Sequence, residues 1–71
     1  MTADKLASLL PSEFTLKRWE EGVVSIRHTV TGRDFADFIP NYEKIPDAEL
    51  RRIVLGWIDN VVRVRIQRRN P

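Results

Sequence analysis

Histidine is the side chain that most readily exchanges a proton at neutral pH, and this sequence holds one, His28. A catalytic histidine needs a nucleophile and an orienting group within reach, and no Ser or Cys motif accompanies His28. The sequence has no cysteine, which excludes thiolate nucleophiles and thiolate metal sites. We therefore expect His28 to be a structural or surface residue and the protein to be no enzyme.

Carboxylates and glycines are the other residue types that could build a ligand site. Five acids between residues 34 and 49 could offer oxygen ligands to Ca²⁺ or Mg²⁺: Asp34, Asp37, Glu43, Asp47 and Glu49. Their spacing does not match an EF-hand loop, and the three glycines are isolated rather than grouped in a phosphate-binding loop. We expect a solvated acidic edge that offsets nearby arginines, with no metal, cofactor or small-molecule substrate.

Arginines dominate the carboxyl end of the chain. Residues 51–71 hold six arginines and one acid, whereas residues 1–50 hold six Lys or Arg against nine acids. Guanidinium groups bind phosphates, so nucleic-acid binding is the alternative function. Its candidate contacts are Arg63, Arg65, Arg68 and Arg69. On a helical wheel the six arginines scatter over several faces, unlike a recognition helix, and basic residues near a helix end also stabilise the helix dipole.

These arginines interleave with apolar residues that recur at helical spacing. The spacing predicts a main helix from residue 47, capped by Asp47, to about residue 67. Its core-facing stripe, which we call the first stripe, comprises Leu50, Ile53, Val54, Trp57, Val61 and Val64. A fourth strand is the competing interpretation for residues 62–67, where apolar and polar residues alternate.

A second apolar stripe lies about 100° around the same helix. It comprises Leu55, Ile58, Val62 and Ile66. One short sheet covers only one stripe. The first helix is the alternative cover for the second stripe, but it is barely two turns long, so we expect a share of this stripe to contact a protein partner or a second copy of the chain. The favoured function is accordingly a small protein-interaction module, a homodimer or an accessory or regulatory factor.

Two further elements are predicted before the main helix. Thr2 caps a short helix over residues 3–10, which Pro11 ends. Residues 14–39 are rich in aromatic and β-branched side chains and predict a three-stranded antiparallel meander. One of its faces carries Phe14, Leu16, Val24, Ile26 and Val30.

The two hairpins of this meander are predicted with unequal detail. A three-residue first loop, 20–22, places Trp19 opposite Val23, Leu16 opposite Ile26 and Phe14 opposite His28. The second register stays open: a two-residue loop at 31–32 pairs His28 with Phe35, whereas a three-residue loop pairs Ile26 with Phe38 and Arg27 with Asp37.

The length of 71 residues predicts one α+β domain, residues 1–71, with a small core. The absence of cysteine favours a reducing compartment, so we expect a cytoplasmic protein. No apolar run approaches the roughly 18 residues that a membrane span requires. We expect no export signal and no membrane partner.

Overall fold

The chain folds into a short helix, a three-stranded antiparallel sheet and a long C-terminal helix, which confirms the predicted α+β order. The computed structural model describes residues 1–68. Helix α1 spans Ala3–Leu9, and the strands are β1 (Phe14–Glu20), β2 (Val23–His28) and β3 (Arg33–Phe38), in the spatial order β1-β2-β3. A 3₁₀ turn, Tyr42–Lys44, leads to α2 (Asp47–Trp57), a π-helical turn (Ile58–Val62) and α3 (Arg63–Arg68). We call residues 47–68 together the C-terminal helix.

Helix α1 begins as predicted and ends one residue early. The Thr2 side chain accepts a hydrogen bond from the Lys5 amide at 3.2 Å, which confirms the cap. Leu10 already has extended backbone angles before Pro11. Leu6 is fully buried and anchors α1 to the core.

The first hairpin has the predicted pairing at its open end and a different turn. Phe14 lies opposite His28 and Leu16 opposite Ile26, as predicted, but Trp19 lies opposite Val24 rather than Val23. The loop has two residues, Glu21 and Gly22, with φ of 50° and 84°. Positive φ at both positions is the signature of a type I′ turn. The predicted loop is one residue longer than the observed loop. The strand takes up this extra residue as a β-bulge at Lys17, between Leu16 and Arg18.

Neither predicted register occurs in the second hairpin. The loop has four residues, 29–32, and His28 lies opposite Arg33, Arg27 opposite Asp34 and Ile26 opposite Phe35. The Gly32 amide donates to the His28 carbonyl at 2.7 Å, with Gly32 at a φ of 75°. Val30, predicted on the apolar face, lies at the loop tip and is 79% exposed.

The C-terminal helix starts at the predicted residue, and the competing strand over 62–67 is wrong. Its N-cap is Pro46 rather than Asp47, whose side chain makes no capping hydrogen bond. The helix is interrupted by the π-helical turn, in which the Arg63 amide bonds to the Ile58 carbonyl five residues back. This turn adds one residue to the helical path and rotates the following residues by about 100°.

The added residue changes which side chains face the sheet. Beyond the turn each residue takes the angular place that its predecessor would have in a regular α-helix. Val62 therefore occupies the core position predicted for Val61, and Val61 points outward with 37% exposure. Val64 is likewise only partly buried. The first stripe is correct for Leu50 and Val54 and wrong beyond Trp57.

The core lies between the helix-facing side of the sheet and the C-terminal helix. Among residues 1–68, ten hydrophobic side chains are buried: Leu6, Phe14, Val24, Ile26, Phe35, Ile39, Leu50, Val54, Ile58 and Val62. Trp19, Tyr42 and Trp57 are partly buried around its rim. Every element contributes to this cluster, so packing connects the whole described chain.

Candidate functional site

The second stripe does not form a surface. Ile58 and Val62 are fully buried within the chain. Ile58 continues the four-residue spacing of Leu50 and Val54, and the π-helical turn brings Val62 in line with them. Leu55 and Ile66 are partly buried and pack against the core. The prediction that these four residues are free to contact another chain is therefore wrong for Ile58 and Val62. For Leu55 and Ile66, the prediction is left without the exposed four-residue stripe on which it rested.

Arg63 is the first of the four candidate nucleic-acid contacts, and it forms hydrogen bonds with two carboxylates of the same chain. Its Nη1 donates to Glu13 at 2.7 Å and its Nε to Asp59 at 3.1 Å, while the guanidinium lies 5.6 Å from the centre of the Phe14 ring. A hydrogen bond from its own backbone amide, followed by that from Arg63, holds the pKa of Glu13 below the ordinary 4.5. The Glu13 carboxylate in turn raises the pKa of Arg63.

The other three candidate arginines lie near the carboxyl end of the chain. The side chains of Arg65 and Arg68 are exposed in the last helical turns. The backbone carbonyl of Arg65 accepts a hydrogen bond from Arg33 at 3.3 Å, which connects β3 to the helix end. Arg69 lies outside the described residues.

His28 is the last residue of β2 and contacts the second hairpin loop. Its Nδ1 lies 2.9 Å from the Thr31 hydroxyl, and its ring is 5.1 Å from that of Phe14. The same hydroxyl accepts a hydrogen bond from the Arg33 amide at 3.3 Å. These contacts hold the loop in its turn conformation, a structural use of the imidazole.

The predicted acidic edge is divided among separate contacts. Asp34 pairs with Arg27 at 2.7 Å, and this hydrogen bond holds the pKa of Asp34 below 3.8. Glu49 pairs with Arg52. Among residues 1–68, no three His, Asp or Glu side chains lie close enough together to hold a metal ion.

The amino terminus is tied to the start of the C-terminal helix. Its ammonium lies 3.4 Å from Asp47, which also accepts a hydrogen bond from Lys5 at 2.8 Å. The Lys5 hydrogen bond, and then the two positive charges, hold the pKa of Asp47 below 3.8. Trp19 donates to the Met1 carbonyl at 2.9 Å and meets Tyr42 edge to face. This cluster closes one end of the core.

The open side of β3 is the feature that the sequence analysis missed. β3 is an edge strand, and the Ile39 amide just after it donates to Gly22 at 2.8 Å, toward β2. Because amides alternate along an antiparallel strand, those of Asp34, Ala36 and Phe38 point away from β2. The Phe38 amide is bound by the Asp37 carboxylate at 2.8 Å. Because the sequence left the register of the second hairpin open, it did not indicate which backbone groups of β3 face outward.

The opposite edge strand carries features that discourage pairing, and β3 carries fewer. β1 has a bulge at Lys17 and has α1 packed along it. β3 pairs regularly with β2 through all six residues, Arg33–Phe38, and has no bulge, lysine or proline. A second chain could therefore pair with β3 more easily than with β1.

A groove runs beside this open edge, between β3 and the C-terminal helix. Its volume is about 160 Å³, and its walls are Phe35, Ala36, Asp37, Trp57, Val61 and Arg65. The three large apolar side chains form the floor, with one acid and one base at the rim. At the end of β3, Phe38 is 58% exposed. Within residues 1–68, the edge thus combines the outward amides of Asp34 and Ala36 with apolar side chains.

Comparison of the chain with protein families, curated proteins and solved structures found no match. Within residues 1–68, no helix has the length and apolar character needed to cross a membrane.

Proposed function

We propose that this chain is a small non-enzymatic protein-interaction module that binds an extended polypeptide segment by strand addition to β3. The observation that carries the proposal is the open side of β3, where the Asp34 and Ala36 amides face away from the sheet. In strand addition, main-chain hydrogen bonds supply affinity and pockets beside the strand select side chains. The groove at Trp57 and Val61 is such a pocket.

The groove also indicates what the bound segment carries. Trp57 and Val61 present apolar surface beside the buried Phe35, so a segment with an aliphatic or aromatic side chain at this position buries area that is otherwise exposed. Asp37 and Arg65 at the rim favour flanking residues of opposite charge. An extended segment with an apolar anchor between charged residues meets both requirements.

A proline substitution at Ala36 tests the proposal. The Ala36 amide faces the open side, so Ala36→Pro removes one donor from the binding edge and leaves the pairing with β2 intact. Ala36→Ser changes the side chain but keeps the amide and is the matched control. Peptides selected from a displayed random library on the wild type should bind Ala36→Ser, and should lose at least about tenfold in affinity for Ala36→Pro.

Backbone NMR completes this test. On peptide binding, the Asp34 and Ala36 amides should shift and gain protection from hydrogen exchange. Equal affinity of the peptides for both variants, or shifts confined to α1 and β1, would contradict strand addition at β3. Circular dichroism of Ala36→Pro checks that the sheet is retained.

Nucleic-acid binding stays a prediction with less support. Arg63 is engaged by Glu13 and Asp59, and Arg52 by Glu49. The remaining exposed arginines favour weak, sequence-independent binding that is lost between low and physiological salt. Gel shifts with the wild type and Arg65→Ala at two salt concentrations measure it.

A further inference from the structure

We propose that the segment taken up at β3 is β3 of a second copy of this chain, paired antiparallel about a two-fold axis at Phe35. The inference rests on the proposed function, because it uses the same open edge. It adds the identity of the partner and the register of the pairing. The product is a symmetric dimer with a continuous six-stranded sheet.

The backbone limits how two copies of β3 can pair. The outward amides belong to Asp34, Ala36 and Phe38, and a hydrogen-bonded pair joins two residues that both face outward. Even-numbered residues must therefore lie opposite even-numbered residues. The two-fold axis then passes through a residue and never between two residues. If the two end residues of the strand are excluded, this leaves four positions for the axis, at residues 34, 35, 36 and 37.

The charges along β3 distinguish these four registers. An axis at Asp34 or at Asp37 places that carboxylate directly opposite its own copy, and like charges in this position destabilise a sheet. An axis at Ala36 opposes no charges of either sign. An axis at Phe35 places Arg33 opposite Asp37 of the second copy, twice by symmetry. Only this register opposes unlike charges and no like charges.

Arg33 and Asp37 each keep hydrogen-bonding groups for these pairs, because Arg33 donates to the Arg65 carbonyl through Nη1 and Asp37 accepts from the Phe38 amide through Oδ1. They lie four residues apart on one strand, roughly 13 Å, which is too far for an ion pair with each other. Within the described chain neither takes part in an ion pair. The Arg33 guanidinium lies 5.0 Å from the centre of the Phe35 ring, and Asp37 lines the groove, so both lie on the helix-facing side of the strand.

The same register suits the apolar side chains. It brings Phe35 of the two copies together at the axis, and the two grooves at Trp57 meet on the helix-facing side. On the outer side it places the exposed Phe38 ring beside Gly32 of the second copy, where no atom lies within 4 Å of the position of a Cβ. An aromatic ring beside a glycine across two strands shields the glycine backbone.

Charge reversal tests this register directly. Arg33→Asp and Asp37→Arg should each weaken the dimer at least about tenfold, because each replaces two attractive pairs with two repulsive ones. An equimolar mixture of the two variants should restore dimers, since a heterodimer again opposes unlike charges. Sedimentation measures the affinities, and native mass spectrometry separates heterodimers from homodimers by mass. The matched control, Arg51→Asp, reverses an exposed charge on the helix and should leave the affinity unchanged.

The outcomes separate this inference from the proposed function. A wild type that is monomeric at millimolar concentration overturns the inference, and so does a dimer that Arg33→Asp leaves intact or a mixture that forms no heterodimer. If selected peptides still bind β3 in any of these cases, strand addition stands with another partner. If neither a second copy nor a peptide binds β3, both proposals are wrong.

Discussion

At the scale of single residues, Arg63 does most to connect distant parts of the chain. Its guanidinium bridges Glu13, which precedes the sheet, and Asp59, one helical turn away, while it lies over Phe14. Side-chain exposures of 36% for Arg63 and 32% for Glu13 place the pair at the core boundary, where solvent screens it only in part. A residue that resembles a nucleic-acid contact in the sequence is thus a structural link.

Acid titration should reveal this link. The folded state holds the pKa of Glu13 below its ordinary 4.5, so the unfolded state binds more protons and stability falls as pH falls. The contribution is fully present above pH 4.5 and is lost as pH falls through the lowered pKa. Glu13→Gln should therefore be less stable at neutral pH and lose less stability on acidification. Urea melts from pH 7 to pH 3 measure this, and parallel curves for the two proteins would contradict it.

Two glycines should respond in opposite directions to alanine. Gly56 is helical, and an added Cβ meets only the Asn60 side chain at 4.0 Å. Gly56→Ala should raise the free energy of unfolding by about 0.5–1 kcal/mol. At Gly22 a Cβ would lie 2.8 Å from the Ile39 carbonyl oxygen at a φ of 84°. Gly22→Ala should lower the free energy by about 1–3 kcal/mol. Denaturant melts of both variants test the pair.

At the scale of elements, the π-helical turn determines which helix residues reach the sheet. A regular α-helix would direct Val61 toward the core and Val62 away from it. The added residue reverses the two, so Leu50, Val54, Ile58 and Val62 form a continuous buried row. The helix thereby keeps β-branched side chains in the core as far as its last turns.

Alanine substitutions at the two adjacent valines test the turn. Val62→Ala removes buried methyl groups and should cost about 1.5–3 kcal/mol. Val61→Ala alters a side chain that is 37% exposed and should cost less than about 0.5 kcal/mol. Chemical denaturation gives both values from otherwise identical proteins. The reverse order of costs would show a regular α-helix through residues 58–62.

At the scale of the whole molecule, one small core joins all the elements, and no second cluster supports part of the described chain alone. A domain of this size has a narrow margin of stability. Asp47, at the start of the C-terminal helix, is tied to the amino terminus, and Arg63 ties the helix to Glu13, the residue before β1. Loss of one central side chain should therefore unfold the chain as a unit.

A buried charge tests this cooperativity. Ile58 is fully buried, so Ile58→Asp places a carboxylate in the core without a partner, at a cost comparable to the stability of the domain. We expect it to lack a cooperative thermal transition in circular dichroism. Val30→Asp, at a position that is 79% exposed, should melt like the wild type. A folded Ile58→Asp protein would show that Ile58 lies on the surface.

The candidate site was predictable only in part. The last strand of a meander is an edge, so an open strand could be expected from element order alone. Which amides of β3 face outward depends on the second register, and the four-residue loop was not evident from Thr31 and Gly32. The predicted contacts at Ile58 and Val62 were wrong, because Ile58 continues the buried row of Leu50 and Val54 and the π-helical turn adds Val62 to it.

The sequence by itself determined the type and order of the elements, the helix start at Asp47 and the pairing of Leu16 with Ile26. These follow from local periodicity, capping and turn chemistry, which act over a few residues. Only the tertiary structure decided the bulge at Lys17, the second hairpin register and the π-helical turn. Each of these features shifts the chain by one or two residues and changes the local conformational energy little. The contacts between sheet and helix therefore determine which alternative forms.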